Sequence, residues 1–211
     1  AYAYKYLTDL PAQFVPKILQ VFNKTAIEIF EGQQMDMDFE TQTTITQLEY
    51  LKMIEYKTSV LMACSLQLGA VIAGANEKNQ QSIYDFGLNL GLAFQIKDDY
   101  LDTFGKGEKV GKKIGGDIIQ NKKTFLLTTA LNTANAKQKE NLLALLKETD
   151  ENKKVDNVKR IFEELGIKKS TEAQIEKHLN HAIISLTKIE TDEAKKKPLL
   201  TLAQLVQERD F

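Results

Sequence analysis

The sequence predicts an all-α protein, and three observations support this fold class. Apolar residues recur at intervals of three and four along nearly the whole chain, which is the period of a buried helix face. No stretch of strict apolar and polar alternation is long enough to indicate a β-sheet. The chain of 211 residues has only 3 prolines and is 43% hydrophobic, which is ordinary for a globular protein rich in helix. We therefore expect a single helical domain over residues 1–211.

The predicted helices, in chain order, span residues 11–34, 46–73, 77–104, 122–134, 136–148, 153–165, 169–190 and 194–208. The second begins with Thr46 and Glu49 at the spacing of a capping box. The third is about 28 residues, or roughly 42 Å, long, and its middle is apolar around most of its circumference. Gly87 and Gly91 in that middle permit a neighbouring helix to approach closely, so we expect this helix at the centre of a bundle.

Composition and charge exclude several functional classes. The formal net charge is -1, whereas nucleic-acid binders usually carry a basic excess on one face. The most apolar run, residues 59–74, is shorter than the roughly 20 residues that span a bilayer. Cys64 is the only cysteine, so no intrachain disulfide can form, and we expect a reducing, cytoplasmic compartment.

Three aspartates, Asp98, Asp99 and Asp102, end the third predicted helix in the segment FQIKDDYLD. Asp98 and Asp102 share a helix face with Gln95, and Asp99 lies one step round. Carboxylates at this spacing repel each other by on the order of 3 kcal/mol per pair at an effective dielectric of about 20, before screening. A solvated acidic helix end is the alternative, but the preceding helix is nearly all apolar. Oxygen ligands without His or Cys suit Mg²⁺, which bridges to substrate phosphate, so the cluster predicts a Mg²⁺ site.

The next segment has the opposite charge. Residues 106–123 carry six lysines against Glu108 and Asp117, a net charge of +4, and several glycines that allow the backbone to approach an anion. Lys122 and Lys123 fall at the start of a predicted helix, where free amides bind anions but the helix dipole disfavours cations. A phosphate-bearing ligand would account for both charge clusters, although solvated loops of this composition are common.

Polar residues interrupt two apolar stripes further upstream. Lys57 lies on a helical stripe that is otherwise apolar and consists of Tyr50, Ile54, Leu61 and Leu68. A buried ammonium group needs an anionic partner, whereas a lysine that reaches to solvent does not. Gln33 and Asp36 continue the apolar stripe of the first predicted helix, so we expect them to face the same interior unless a turn follows Gln34.

These motifs together resemble the trans-isoprenyl diphosphate (polyprenyl) synthase family over essentially the whole chain. The matching elements are the GQxxD element Gly32 to Asp36, the pair Lys57-Thr58, FQxxDDxxD from Phe94 to Asp102, the GKxxGxD loop from Gly111 to Asp117, and Lys122 with Thr124. Five motifs in order are a far more specific match than any one alone. The resemblance implies an isoprenoid synthase helical bundle, a homodimer, and a prenyltransferase that condenses an allylic diphosphate with isopentenyl diphosphate.

The resemblance also implies roles for individual residues. Asp98 would be a direct Mg²⁺ ligand, Asp99 and Asp102 would support the metal through water, and Asp117 would hydrogen-bond metal-bound water. The implied substrate-binding residues are Gln33, Asp36, Lys57, Thr58, Gln95, Lys112, Lys113 and Lys122. Among them, Lys57 and Lys122 would clamp the diphosphate together with either Lys112 or Lys113, between which the motif spacing does not decide. Thr58 and Gln95 would steady the allylic cation, and Asp36 would support Lys57.

The chain departs from the family pattern in one large respect. No first DDxxD motif precedes residue 98, and the basic site that the family uses for isopentenyl diphosphate is missing as well. We expect the chain to be the C-terminal two-thirds of a longer enzyme, because every motif that it could retain is intact. The alternatives are a degraded relative, a non-catalytic partner subunit, a terpene cyclase of the same fold, and a helical scaffold without a ligand. Partner subunits tend to lose the metal aspartates, and cyclases usually mix Asn, Ser or Thr with Glu in the second metal motif.

Overall fold

Helices make up most of residues 2–105 and 114–210, which are the residues that the computed structural model describes, and no β-strand occurs among them. The helices are α1 (Tyr2–Thr8), α2 (Val15–Thr41), α3 (Gln47–Ile54), α4 (Val60–Ile72), α5 (Glu77–Phe104), α6 (Gly116–Ile119), α7 (Phe125–Thr133), α8 (Ala136–Leu145), α9 (Glu151–Glu164), α10 (Ile167–Thr187) and α11 (Glu193–Glu208). A π-helical turn, Glu55–Ser59, joins α3 directly to α4. The predicted all-α class is confirmed.

Local capping signals place the helix starts well. The bounds of α5 are those predicted, and the Asn76 side chain caps it by accepting the Asn79 N–H at 2.8 Å. The capping box of Thr46 and Glu49 is present at the start of α3. Neither α1 nor α6 was predicted from the sequence.

The predicted end of the first long helix at residue 34 is wrong, because α2 continues to Thr41. Gly32 lies inside this helix without ending it. A Cβ at Gly32 would lie 2.5 Å from the backbone nitrogen of Lys57, so the glycine provides a close contact between helices and does not terminate one.

The central position predicted for α5 is confirmed. This helix packs most extensively against α10 and α4, and its Phe86 and Ile96 side chains are fully buried. A Cβ at Gly87 would lie 2.7 Å from Ala63 Cα, so the expected close approach is made against α4. No helix in the described residues is long and apolar enough to cross a membrane. The C-terminal end of α5, where the three aspartates lie, opens into a cleft bordered by the π-helical turn and the segment before α7.

Candidate functional site

The cleft at the end of α5 has a volume of about 1020 Å³. The residues singled out from the sequence that line it are Asp36, Lys57, Thr58, Gln95, Asp98, Asp99, Asp102, Asp117 and Lys122. Gln33 is exposed and does not line the cleft, because the adjacent Gly32 takes the position that faces the π-helical turn. Lys112 and Lys113 lie outside the described residues.

Asp98 and Asp102 form the acidic wall of the cleft, one helical turn apart on α5. The Asp98 carboxylate makes an ion pair with the Arg209 guanidinium, with 2.8 Å between Oδ1 and Nη2. Asp102 accepts the backbone N–H of Asp117 at 3.0 Å, and burial raises the pKa of its carboxyl group. The N–H of Gly115 donates to the Asp102 carbonyl oxygen at 2.7 Å. Residues 115–117 are therefore fixed directly against the end of α5.

Asp99 differs from its two neighbours because it is buried, with 4% of its surface exposed. The Tyr50 hydroxyl and the Phe125 N–H, the latter at 2.8 Å, both donate to its Oδ2. Gln95 Nε2 donates to the other carboxylate oxygen at 3.4 Å. Burial raises the pKa of Asp99 to about 7 against the opposing effect of these hydrogen bonds. Both oxygens of Asp99 are thus already bound by donors of the protein.

The π-helical turn presents Lys57 and Thr58 to the cleft. Lys57 Nζ pairs with Asp36 Oδ2 at 2.5 Å, and both side chains are just over a third exposed. Thr58 Oγ1 donates to Gln95 Oε1 at 3.3 Å. The π-helical turn adds one residue to the helix at this point, and such turns are often found at functional sites.

Glycines hold the π-helical turn on two sides. On α2, a Cβ at Gly32 would meet the Lys57 backbone nitrogen, and on α5 a Cβ at Gly91 would lie 2.6 Å from Ser59 Cα. These distances are far below ordinary van der Waals contact, so only glycine fits at either position without a backbone shift. The position of the Lys57 and Thr58 backbone is therefore set by α2 and α5 together.

The basic side of the cleft lies in the segment before α7. Lys122 Nζ pairs with Asp117 Oδ1 at 2.8 Å, and this hydrogen bond raises the pKa of Lys122. The helix predicted from residue 122 begins later in the structure, because Thr124 is the N-cap and α7 starts at Phe125. The left-handed backbone of Asn121, with φ 55°, turns the chain before the two lysines. Lys122 and Lys123 consequently precede the helix and lie outside its first turn.

Lys123, Arg209 and Tyr50 line the cleft but were not among the site residues predicted from the sequence. Lys123 lines the cleft, and burial lowers its pKa. The signal for it was its place in the basic run of residues 106–123. Arg209 and Tyr50 also line the cleft, but they lie 111 residues after Asp98 and 49 residues before Asp99, so no local pattern predicts either contact.

The arrangement places carboxylates and ammonium groups around one open space, which suits a divalent cation bound to a polyanion. Among the described residues, no three His, Cys, Asp or Glu side chains lie close enough together to hold a metal ion by themselves. Mg²⁺ is commonly bound through one or two carboxylates, several waters and substrate phosphates, so Asp98 and Asp102 fit that ion.

Comparisons with known proteins agree with this geometry. A family model for polyprenyl synthetase matches residues 1–165. The chain is 35% identical over 199 residues to the short chain isoprenyl diphosphate synthase of Methanothermobacter thermautotrophicus, and the match covers 94% of this chain and 61% of that protein. The solved geranylgeranyl pyrophosphate synthetase of Pyrococcus horikoshii has a TM-score of 0.92 and 29% identity, covering 98% of this chain and 63% of that one.

A second solved structure carries ligands. The geranylgeranyl pyrophosphate synthase of Corynebacterium glutamicum, solved with isoprenyl diphosphate and magnesium, has a TM-score of 0.88 and 25% identity, covering 99% of this chain and 60% of that one. The chain therefore spans less than two thirds of the length of each of these three proteins.

Proposed function

The chain belongs to the polyprenyl synthetase family, and we propose that the protein carrying it is a trans-prenyltransferase that condenses an allylic diphosphate with isopentenyl diphosphate. Its fold is the all-α isoprenoid synthase fold. One observation carries the proposal: Asp98 and Asp102 share a single cleft with Lys57 and Lys122. Carboxylates beside ammonium groups suit a metal-bound diphosphate better than either charge alone does.

In the proposed reaction, Lys57 and Lys122 stabilise the negative charge that develops on the leaving diphosphate. The allylic C–O bond breaks, and its electron pair stays on the diphosphate oxygen. The double bond of isopentenyl diphosphate then forms a C–C bond to the allylic cation, and a proton passes to the released diphosphate. The side-chain oxygens of Thr58 and Gln95 stabilise the allylic cation. The Thr58 hydroxyl donates to Gln95 Oε1 at 3.3 Å, and this hydrogen bond holds the two side chains in place.

The apolar lining of the cleft supports a cationic reaction. Phe39, Met53 and Leu101 line it beside the charged residues, and all three are buried in the core. Side chains of this kind exclude the water that would otherwise capture an allylic cation.

We propose Mg²⁺ as the metal, with Asp98 as direct ligand and Asp102 and Asp117 in support. Bound there, Mg²⁺ would neutralise charge on the diphosphate as a Lewis acid. Asp99 would support this site through the hydrogen bonds that it accepts from Tyr50, Gln95 and Phe125. Lys112 or Lys113 remains a proposed additional diphosphate contact.

The test is a condensation assay on the full-length protein. Labelled isopentenyl diphosphate is supplied with dimethylallyl, geranyl or farnesyl diphosphate and Mg²⁺, and longer prenyl diphosphates are the expected products. Replacing Asp98 by Ala should lower turnover by at least a hundredfold without a loss of folding, because the carboxylate of the direct ligand is removed. Near-normal turnover of this variant would contradict the assigned role. A cyclised hydrocarbon as product, or no turnover in the wild type, would overturn the proposed reaction.

We also propose a homodimer in a cytoplasmic location. Ile27, Phe30 and Met37 recur along one side of α2 and are 58%, 74% and 53% exposed, which supports association through this helix. Sedimentation velocity should show a dimer, and Phe30→Ser should weaken it, whereas the control Leu48→Ser on α3 should not. Cell fractionation tests the location.

The prediction that a first DDxxD motif lies upstream of Ala1 stays a prediction, and the encoded upstream sequence tests it.

A further inference from the structure

Tyr50 and Asp99 form a buried polar contact beside the acidic wall of the cleft, which both residues also line. Tyr50 is 2% exposed and Asp99 is 4% exposed. The Tyr50 hydroxyl donates to Asp99 Oδ2, and the same oxygen accepts the Phe125 N–H at 2.8 Å. A buried carboxylate is costly unless its oxygens are hydrogen-bonded, so these contacts are needed to keep Asp99 where it lies.

This contact connects three helices. Tyr50 belongs to α3, Asp99 to α5, and Phe125 is the first residue of α7. The rings of Tyr50 and Phe125 also pack edge to face, with centroids 6.4 Å apart. Gln47 Nε2 donates to Thr129 Oγ1 at 2.9 Å, which adds a second contact between α3 and α7.

The position of Phe125 determines the position of the basic segment. Lys122, Lys123 and the N-cap Thr124 immediately precede it, and both lysines line the cleft. Asp99 immediately follows Asp98, which is on the acidic wall. The buried carboxylate of Asp99 therefore helps to set the distance between the two oppositely charged sides of the site, together with the contacts that Asp102 makes to residues 115–117.

We propose that Tyr50 is a positioning residue of the diphosphate site and acts through Asp99. Together with the Phe125 N–H, the Tyr50 hydroxyl locks the start of α7 to the end of α5, so that Lys122 and Lys123 face Asp98 and Asp102 at a fixed separation. Asp99 then serves as the hydrogen-bond acceptor through which Tyr50 acts. This inference rests on the proposed function of the cleft.

Two variants separate this role from a purely structural one. Tyr50→Phe removes the hydroxyl and keeps the ring packing. The matched control is Tyr100→Phe, because the Tyr100 hydroxyl on the same α5 helix as Asp99 also donates to a carboxylate, Glu172 Oε1 at 2.7 Å, but lies outside the cleft. Asp99→Asn keeps an acceptor oxygen and removes the charge, whereas Asp98→Asn removes the charge of the proposed direct ligand.

The experiment measures binding of pyrophosphate with Mg²⁺ to the full-length protein by calorimetry, alongside the melting temperature without ligand. Tyr50→Phe should weaken binding about tenfold, because misplaced charged groups lose much of their effect. Tyr100→Phe, which removes an exposed hydrogen bond, should bind like the wild type. Asp98→Asn should lose most of its binding. In the Asp99→Asn background, Tyr50→Phe should weaken binding no further than Asp99→Asn does alone, because Tyr50 acts through Asp99. In the condensation assay, Tyr50→Phe should raise KM for the allylic diphosphate more than it lowers kcat.

Three outcomes would overturn the inference. Wild-type binding by Tyr50→Phe, or equal weakening in Tyr100→Phe, would reduce Tyr50 to a core residue while leaving the proposed function intact. Additive losses of binding from Tyr50→Phe and Asp99→Asn would show that Tyr50 does not act through Asp99. Failure of the wild type to bind Mg²⁺ and pyrophosphate would instead overturn the proposed function and this inference with it.

Discussion

Replacing Gly91 by Ala tests whether the close packing of α5 against the π-helical turn positions the site. The added Cβ would lie 2.6 Å from Ser59 Cα and 2.9 Å from Ser59 Cβ. Ser59 is fully buried and follows Thr58 directly, so it cannot yield without moving the turn that presents Lys57 and Thr58. The substitution should therefore affect both stability and catalysis.

The change in the free energy of unfolding that Gly91→Ala causes follows from two opposing effects. Alanine favours a helix interior over glycine by about 1 kcal/mol. Overpacking of a well-filled core costs about 1–3 kcal/mol. Gly69 lies inside α4, where a Cβ would meet nothing within 4 Å, so Gly69→Ala carries only the favourable effect. The two variants should differ by about 1–3 kcal/mol in the free energy of unfolding, which corresponds to roughly 2–12 °C in melting temperature for a chain of this size.

Thermal melts followed by circular dichroism, with kcat/KM from the condensation assay, measure both effects. Gly91→Ala should melt below the wild type or close to it, Gly69→Ala should melt above it, and only Gly91→Ala should lose activity. If Gly91→Ala were as stable and as active as Gly69→Ala, the argument that the π-helical turn is held by contact with Gly91 would be refuted.

Two further predictions concern charged groups. Burial lowers the pKa of His178, which lies on α10 and contacts Asn89 of α5, from 6.5 to about 4, so the folded state binds this proton less readily than the unfolded state. Stability should fall as the pH drops from about 6.5 to 4, by roughly 1–2 kcal/mol after allowance for partial exposure, and denaturation of His178→Gln at several pH values should show a flatter profile. Arg209→Gln should lower the Mg²⁺ concentration needed for a pyrophosphate-dependent rise in melting temperature about two- to fivefold, because a partly exposed ion pair with Asp98 contributes up to about 1 kcal/mol. An unchanged or higher Mg²⁺ requirement would argue against competition for Asp98.

Local signals were sufficient to predict α5 and insufficient to predict the π-helical turn. The bounds of α5 follow from its apolar period, which lies within the segment itself, and they agree with the Asn76 cap directly before it. The predicted apolar stripe from Tyr50 to Leu68 holds only for a regular α-helix. The extra residue of the π-helical turn rotates the following face by about 100°, so Tyr50 and Ile54 are buried while Leu61 is 52% exposed.

The contacts that compensate the charges of the cleft are likewise partly local and partly long-range in sequence. Coulomb repulsion among Asp98, Asp99 and Asp102 requires compensation, and this follows from their spacing alone. Three different groups provide it: Arg209 pairs with Asp98, the Asp117 N–H binds Asp102, and Tyr50 with Phe125 binds Asp99. Only the contribution of residues 117–125 lies close enough in sequence to be anticipated. The sequence motif therefore predicts a charged site that binds a metal ion with a diphosphate. It does not predict which group pairs with Asp98 or with Asp99, because those partners come from the end of the chain and from α3.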